Sequence, residues 1–252
     1  MEHNCLNCNT ALSSNFCQNC GQKATTHRYS LKHFVQHDLI HGIFHLEKGI
    51  LFTIKQLFTR PGHIVREYVN GKRAYLFNFV PLIILIITVA SLLTPFIKIR
   101  IMDLMSSSAQ SKAMMSTIDK FSAEYPKIIA LITIPIAATF SYLFFRKAKF
   151  NFTEHLVLNA YSAASLLLIN LLFTIFSIFC ANPKILLPTY SVFSLLLFLY
   201  TFWIYFQFFS TSNYKKSSLV FRSIFATLGP IFFSILVGLV IGIVKIITHL
   251  KK

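Results

Sequence analysis

The chain has 252 residues, of which 55% are hydrophobic and only 13% are charged, and it contains 27 phenylalanines. This composition excludes an ordinary soluble domain and favours an integral membrane protein. Lys and Arg outnumber Asp and Glu by 24 to 8, and much of this excess lies beside long apolar runs, so the lipid bilayer and its anionic headgroups suit the charge better than nucleic acid does.

Two Cys-x-x-Cys pairs open the chain, in the stretch CLNCNTALSSNFCQNCGQK: Cys5, Cys8, Cys17 and Cys20. Four thiolates from two tight turns form the ligand set of a structural zinc ion and leave no open position for a catalytic water. Asn9 and Gly21 follow the pairs, and both residue types tolerate the positive φ that a chain folding back around a metal needs. We therefore predict a zinc ribbon over residues 1–26. Iron or another metal in the same cage, and cysteines without metal or in disulfides, are the alternatives.

The segment between the pairs contains no basic residue. A protein partner at the ribbon is therefore favoured over nucleic acid. Leu12 and Phe16 either close the ribbon's own small core or face that partner.

An amphipathic helix is predicted over residues 27–60, in YSLKHFVQHDLIHGIFHLEKGILFTIKQLFTRPG, ending at Pro61-Gly62. Its wide apolar face suits a position in the membrane interface or against the bundle. Four histidines recur at every fourth position on the opposite face: His33, His37, His41 and His45. They form either a polar interfacial face or a second metal site, because neighbours at i and i+4 can share one ion.

A basic juxtamembrane segment is predicted over residues 61–75. Arg66, Lys72 and Arg73 precede the first span, where they serve orientation and anchoring or bind anionic lipid headgroups. The Gly71-Lys72 pair is not a phosphate-binding loop, because the flanking positions of that pattern are occupied by arginines.

Residues 76–252 are predicted to form a transmembrane helical bundle, since five segments without Asp, Glu, Lys or Arg are long enough to cross a bilayer: Leu76 to Ile97, Ile128 to Phe145, Leu156 to Phe179, Tyr190 to Phe209 and Ile224 to Val244. A cytosolic N-terminus places 15 Lys or Arg inside and 9 outside, as the positive-inside rule favours. The expected fold is an all-α polytopic membrane protein with a small N-terminal zinc ribbon.

Three segments together carry a resemblance to a known family: FCQNCGQ, HLEKGILFTIKQLFTRPG and REYVNGKRAYLFNFVP. The chain resembles an uncharacterised family of bacterial integral membrane proteins, a domain of unknown function. The resemblance covers roughly residues 5–81, and the stretches Thr53 to Pro61 and Gly71 to Arg73 carry its specificity. Asn9 departs from the glycine usual in such ribbons. The resemblance implies a bacterial inner membrane location and no particular activity.

Three functions are weighed. The favoured one is a membrane-embedded adaptor or assembly protein that presents a cytosolic structural zinc ribbon to a protein partner. The first alternative is a transporter or sensor of metal or another small solute, with the histidines as loading site and a neutral route along polar residues of the spans: Asn159, Tyr161, Asn170, Tyr200 and Gln207. The second is a lipid-modifying enzyme using Glu154 and His155. No catalytic residue is assigned, and a non-enzymatic role is favoured.

Overall fold

The computed structural model describes residues 4–31, 49–99, 101, 104 and 125–250. Within them, β-structure is limited to two isolated bridges, Asn4–Ala11 and Phe16–Lys23. Seven α-helices are described in these residues: α1 Ile50–Thr59, α2 Pro61–Val69, α3 Phe79–Leu93, α4 Pro126–Phe144, α5 Phe152–Phe179, α6 Pro183–Phe209 and α7 Lys216–Leu250. Short 3-10 turns, Thr94–Phe96 and Arg146–Ala148, follow α3 and α4.

All five predicted spans fall on helices. Four helical stretches in the described residues are long and apolar enough to cross a bilayer: Phe79–Phe96, Phe152–Phe179, Pro183–Phe209 and Lys216–Ser234. In α4, the shorter stretch Ile132–Phe144 is apolar. The all-helical membrane fold expected from hydropathy is therefore confirmed.

Helix α5 is the centre of the bundle, packing against α2, α3, α4 and α6, while α7 packs against α4 and α6. Tyr161 of α5 is fully buried. Its ring lies edge-on to Tyr68 of α2 and Phe79 of α3, with centroid distances of 5.1 and 5.3 Å. Its hydroxyl donates to Phe77 O (2.9 Å). One tyrosine thus joins the central helix to two neighbours.

The segment before the first span differs from the single amphipathic helix expected up to Pro61. Helix α1 begins at Ile50, after Gly49 with φ of 125°, and a Cβ at Gly49 would collide with Tyr75 O. Pro61 starts a new helix rather than ending the helical run, because proline at the first helical position lacks only an amide hydrogen that has no partner there.

Helix α2 occupies the segment expected to be a basic juxtamembrane strip. Four of its apolar side chains are buried against the bundle: Ile64, Val65, Tyr68 and Val69. Gly62 lies so close to α6 that an added Cβ would overlap Ile204 O and Phe208 N, and its amide donates to Gln207 Oε1 (3.0 Å). Helix α2 is therefore part of the core, and its register on α6 is fixed by a glycine.

We expect Gly62→Ala to destabilise the protein, because the new methyl group overlaps α6 backbone atoms. Overpacking of this kind costs about 1–3 kcal/mol of stability. Alanine is a better helix former than glycine, so helix propensity alone would raise the melting temperature. A lowered melting temperature therefore indicates the steric overlap. Near-UV circular dichroism melting of the detergent-purified protein measures the effect. Lys55→Ala, on the exposed face of α1, is the control and leaves the midpoint unchanged. An unchanged or raised midpoint for Gly62→Ala contradicts the close contact.

Candidate metal centre

Two matching turns build the N-terminal site. In each, the amide of the residue after the second cysteine donates to the carbonyl of the first cysteine: Asn9 N to Cys5 O (2.8 Å) and Gly21 N to Cys17 O (2.9 Å). Asn9 and Gly21 have φ of 61° and 73°, so the predicted positive φ at both positions is confirmed. The turns direct the four cysteine side chains toward a common point.

The four sulfur atoms, of Cys5, Cys8, Cys17 and Cys20, lie within 4.8 Å of one another. Cys5 Sγ is 3.6 Å from Cys20 Sγ, and Cys8 Sγ is 3.5 Å from Cys17 Sγ. All four are free thiols, and two of them, Cys5 and Cys17, are buried. The cluster can hold one metal ion, and it contains no disulfide.

The local environment shifts the pKa values of two of the thiols in opposite directions. Hydrogen bonds from the Thr10 hydroxyl and then the Thr10 backbone lower the pKa of Cys8 to about 6, while burial raises the pKa of Cys20 to about 11. Four thiolates this close together repel one another and need a cation to coexist. The donor set therefore fits a cation bound by thiolates.

The ribbon is docked on the membrane helices by the side chain of Gln22, which is 6% exposed. Its Nε2 donates to Gly71 O (2.8 Å), and Arg73 N donates to its Oε1 (2.9 Å). Gly71 has φ of 104°, and a Cβ there would touch the Leu6 side chain. The turn before the first span is thus the receiving surface for the ribbon.

A second contact joins the segment that follows the ribbon, residues 27–30, to the start of α5. Arg28 Nε and Nη2 donate to Glu154 Oε1 (2.6 Å) and Oε2 (2.8 Å), and Nη2 also donates to Lys149 O (2.7 Å). Glu154 is 2% exposed and completes a capping box with Asn151, which satisfies amide groups at the helix start. The carboxylate raises the pKa of Arg28. Glu154 therefore fastens the ribbon to α5.

Tyr29 completes the docking surface. It is 2% exposed, and its ring lies 5.9 Å from that of Tyr68. The Arg73 guanidinium lies 3.9 Å from the centroid of the Tyr29 ring, a cation–π geometry. Asn151 Nδ2 donates to Tyr29 O (2.9 Å). The ribbon thus contacts both α2 and the loop before α5.

The basic residues predicted at headgroup depth bind mostly to protein. Arg66 Nη1 donates to Gln207 O (3.1 Å) and Phe208 O (3.0 Å) at the end of α6. Arg73 Nε donates to Tyr68 O (3.1 Å). Lys72 is exposed. Lipid headgroup binding by these three residues stays a prediction, and the structure adds a helix-capping role for two of them.

Burial, together with the charge of Arg66, lowers the pKa of His63. The neutral imidazole can therefore accept at Nδ1 from Arg66 Nη2, which is 2.9 Å away. This contact holds the guanidinium against the end of α6.

The histidines His33, His37, His41 and His45 lie outside the described residues, so their metal binding stays a prediction. Glu154 and His155, weighed as an acid–base pair, face different surroundings. Glu154 binds Arg28, whereas His155 is buried between α4 and α6, with Nδ1 2.9 Å from Ser141 Oγ and its ring stacked on Phe209. The geometry favours a structural role for Glu154.

The side chains of all five residues weighed as a neutral route form hydrogen bonds with backbone groups. Tyr200 OH donates to Leu57 O (2.6 Å), Gln207 Oε1 accepts from Gly62 N, and Asn170 Nδ2 donates to Leu166 O (3.0 Å). Tyr161 bonds to Phe77 as described above. Asn159 alone among the five lines a cavity.

Fold and site together define a helical membrane protein with a four-cysteine cluster that can hold a metal ion, docked at one end of its bundle. The model of a family described as "Protein of unknown function (DUF3667)" matches residues 47–91, which include α1, α2 and most of α3. The predicted resemblance to a domain of unknown function is confirmed over this segment. No curated protein and no solved structure matches the chain.

Sequence reasoning missed the residues that dock the ribbon: Gln22, Arg28 and Tyr29. The spacing of Asn151 and Glu154 is a capping-box signal for the start of α5, and it would have assigned Glu154 a structural task. Nothing local indicates the partner of Arg28, which lies 126 residues away in sequence.

We expect Gln22→Ala to loosen the ribbon, because it leaves the carbonyl of Gly71 and the amide of Arg73 without their buried partner. Hydrogen exchange should rise at least about tenfold at the Arg73 amide, a loss of about 1.4 kcal/mol of protection. Gln18→Ala is the matched control, since Gln18 is exposed and bonds only within the ribbon, to Ser13. Equal exchange in the two variants contradicts docking by Gln22.

Proposed function

We propose that this protein is a membrane-embedded adaptor whose zinc ribbon, held rigidly against the membrane helices, presents its outer face to a protein partner. One observation carries the proposal: the ribbon is fastened by Gln22 and Arg28 on one side, yet Phe16 is 55% exposed. A large aromatic side chain held on a fixed support is typical of protein contact sites.

Zinc is the proposed ion. Tetrahedral zinc with bonds of about 2.3 Å places its sulfur ligands about 3.8 Å apart, close to the distances of 3.5 and 3.6 Å between the paired sulfurs. Four cysteines fill all four positions, so the ion would support folding rather than catalysis. A segment this short depends on its metal to fold.

Location in the bacterial inner membrane with a cytosolic N-terminus completes the proposal. The basic segments expected on the cytosolic side meet at one end of the bundle. Arg28, just after the ribbon, donates to Lys149 O after α4. Arg222 of α7 donates to Phe144 O, also at the end of α4. This clustering supports the orientation that the positive-inside rule favours, and a cytosol that keeps thiols reduced favours metal over disulfides.

We expect one zinc ion per purified chain, and Cys17→Ser to remove it, because three thiolates bind much more weakly than four. Cys180→Ser is the matched control and retains the metal, since Cys180 lies at the far end of α5. Metal should be released as the pH falls, because protons compete for the thiolates. Elemental analysis after gel filtration measures the ratio. A metal-free wild type, or equal loss in both variants, contradicts the zinc assignment.

We expect a photo-crosslinking residue in place of Phe16 to give a discrete protein adduct in cells, because that side chain faces outward. The same residue in place of Tyr29, which is buried against α2, should give none. Introducing Cys17→Ser into the Phe16 variant should abolish the adduct together with the metal. Mass spectrometry identifies the adduct. No adduct at position 16, or one that persists without metal, contradicts the adaptor function.

A further inference from the structure

A cavity of about 320 Å³ lies between α4, α5, α6 and α7. At roughly 30 Å³ per water molecule it has room for about ten waters, which is within the size range of small-molecule sites. Its lining mixes aliphatic side chains with hydroxyl and amide groups, and no Asp, Glu, Lys, Arg or His is among the described residues that form it.

Three hydroxyl groups of this lining have their protons already committed to backbone carbonyls. Thr201 Oγ1 donates to Leu197 O (2.8 Å), Thr227 Oγ1 to Ser223 O (2.8 Å) and Ser194 Oγ to Tyr190 O (2.9 Å). Each hydroxyl oxygen keeps a lone pair that can accept a hydrogen bond. These three groups therefore offer acceptors rather than donors to the cavity.

Two further lining residues, Asn159 and Tyr205, also donate their protons to groups within the protein. Tyr205 OH donates to Asn159 Oδ1 (2.6 Å), and Asn159 Nδ2 donates to Ser141 Oγ (2.9 Å) and His155 O (2.8 Å). The Asn159 side-chain amide thus uses both of its protons and one acceptor site in hydrogen bonds within the protein. The Tyr205 hydroxyl oxygen can still accept a hydrogen bond. Asn159 and Tyr205 are 3% and 1% exposed, so this is a rigid network within the bundle.

We propose that the cavity binds a small neutral molecule that carries a hydroxyl or another hydrogen-bond donor on a short apolar body. The remaining lone pairs favour an occupant that carries a donor, because an apolar occupant would make no hydrogen bond to them. The uncharged lining disfavours an ion, because no counter-charge repays its desolvation. The hydroxyl belongs to a neutral lipid headgroup or to a free alcohol or polyol. This site goes beyond the adaptor function and does not depend on it.

The test measures probe binding by the full-length protein in lipid nanodiscs, by equilibrium dialysis with empty nanodiscs subtracted. The probe is 1-hexanol. Its isomer 1-methoxypentane has the same atoms without the donor proton, and hexanoate and hexylammonium add charge. We expect one saturable 1-hexanol site per chain, with 1-methoxypentane at least about fivefold weaker, the value of one hydrogen bond. Hexanoate and hexylammonium should also bind at least about fivefold more weakly, because the uncharged lining does not repay the desolvation of a charge.

Two variants locate the site. Ala137→Leu fills the cavity that Ala137 lines and should abolish saturable binding. Thr227→Val removes an acceptor and should weaken binding about fivefold. Thr189→Val is the matched control: Thr189 has the same bond to its own helix, to Ile185 O (2.8 Å), but it is half-buried outside the lining of the cavity. It should bind 1-hexanol like the wild type.

Competition separates the two sources of the hydroxyl. Dioctanoylglycerol in the nanodisc displaces 1-hexanol if the cavity takes a lipid headgroup, and aqueous glycerol displaces it if the cavity takes a free polyol. Three results overturn the proposal: 1-methoxypentane binding as tightly as 1-hexanol, Thr227→Val binding like Thr189→Val, or competition by neither glycerol compound. The comparison of the two valine variants decides the matter even where Ala137→Leu fails to fold.

Discussion

The structure depends on donors for the backbone carbonyls at the ribbon-side end of the bundle, where α4 and α6 end. The last carbonyls of a helix have no partner within it, and an unpaired one is costly beside an apolar bundle. Arginines supply the donors: Arg66 binds Gln207 O and Phe208 O, and Arg222 binds Phe144 O. Their positive charge also suits the negative end of each helix dipole. Basic residues that would otherwise face lipid therefore fix the helix ends.

Helix α2 connects the capped helix ends with the central helix α5 and with the docked ribbon. Tyr68 packs on Tyr161 of the central helix and on Tyr29 of the segment that follows the ribbon, and its carbonyl accepts from Arg73. Arg73 N in turn donates to Gln22, two residues after Cys20 of the cluster. A continuous series of packed and hydrogen-bonded groups thus runs from the metal centre to the middle of α5. The ribbon has its own small fold around the cysteine cluster, and it is also packed and hydrogen-bonded to the helical bundle.

The sequence predicted what depends on neighbouring residues and missed what depends on distant ones. Hydropathy located the four helical stretches of the described residues that are long and apolar enough to cross a bilayer, because a long uninterrupted apolar run is typical of a transmembrane helix. Cysteine spacing located the metal centre, and the need for positive φ identified Asn9 and Gly21. The burial of α2 was missed because its basic residue Arg66 suggested a segment at the lipid headgroups. The docking contacts were missed because Gln22 and Arg28 meet partners 49 to 126 residues away.

Helix α5 connects the docked ribbon with the cavity. Its first turn carries Glu154, which binds Arg28 and caps the helix start, and little more than one turn later Asn159 lines the cavity. Between them, His155 contacts Ser141, the same hydroxyl that accepts from Asn159. The docked ribbon therefore fixes the end of the helix that supplies the cavity's amide. Because residues this close on one rigid helix keep their relative positions, the orientation of Asn159 in the cavity depends on the contacts that hold α5 at its first turn.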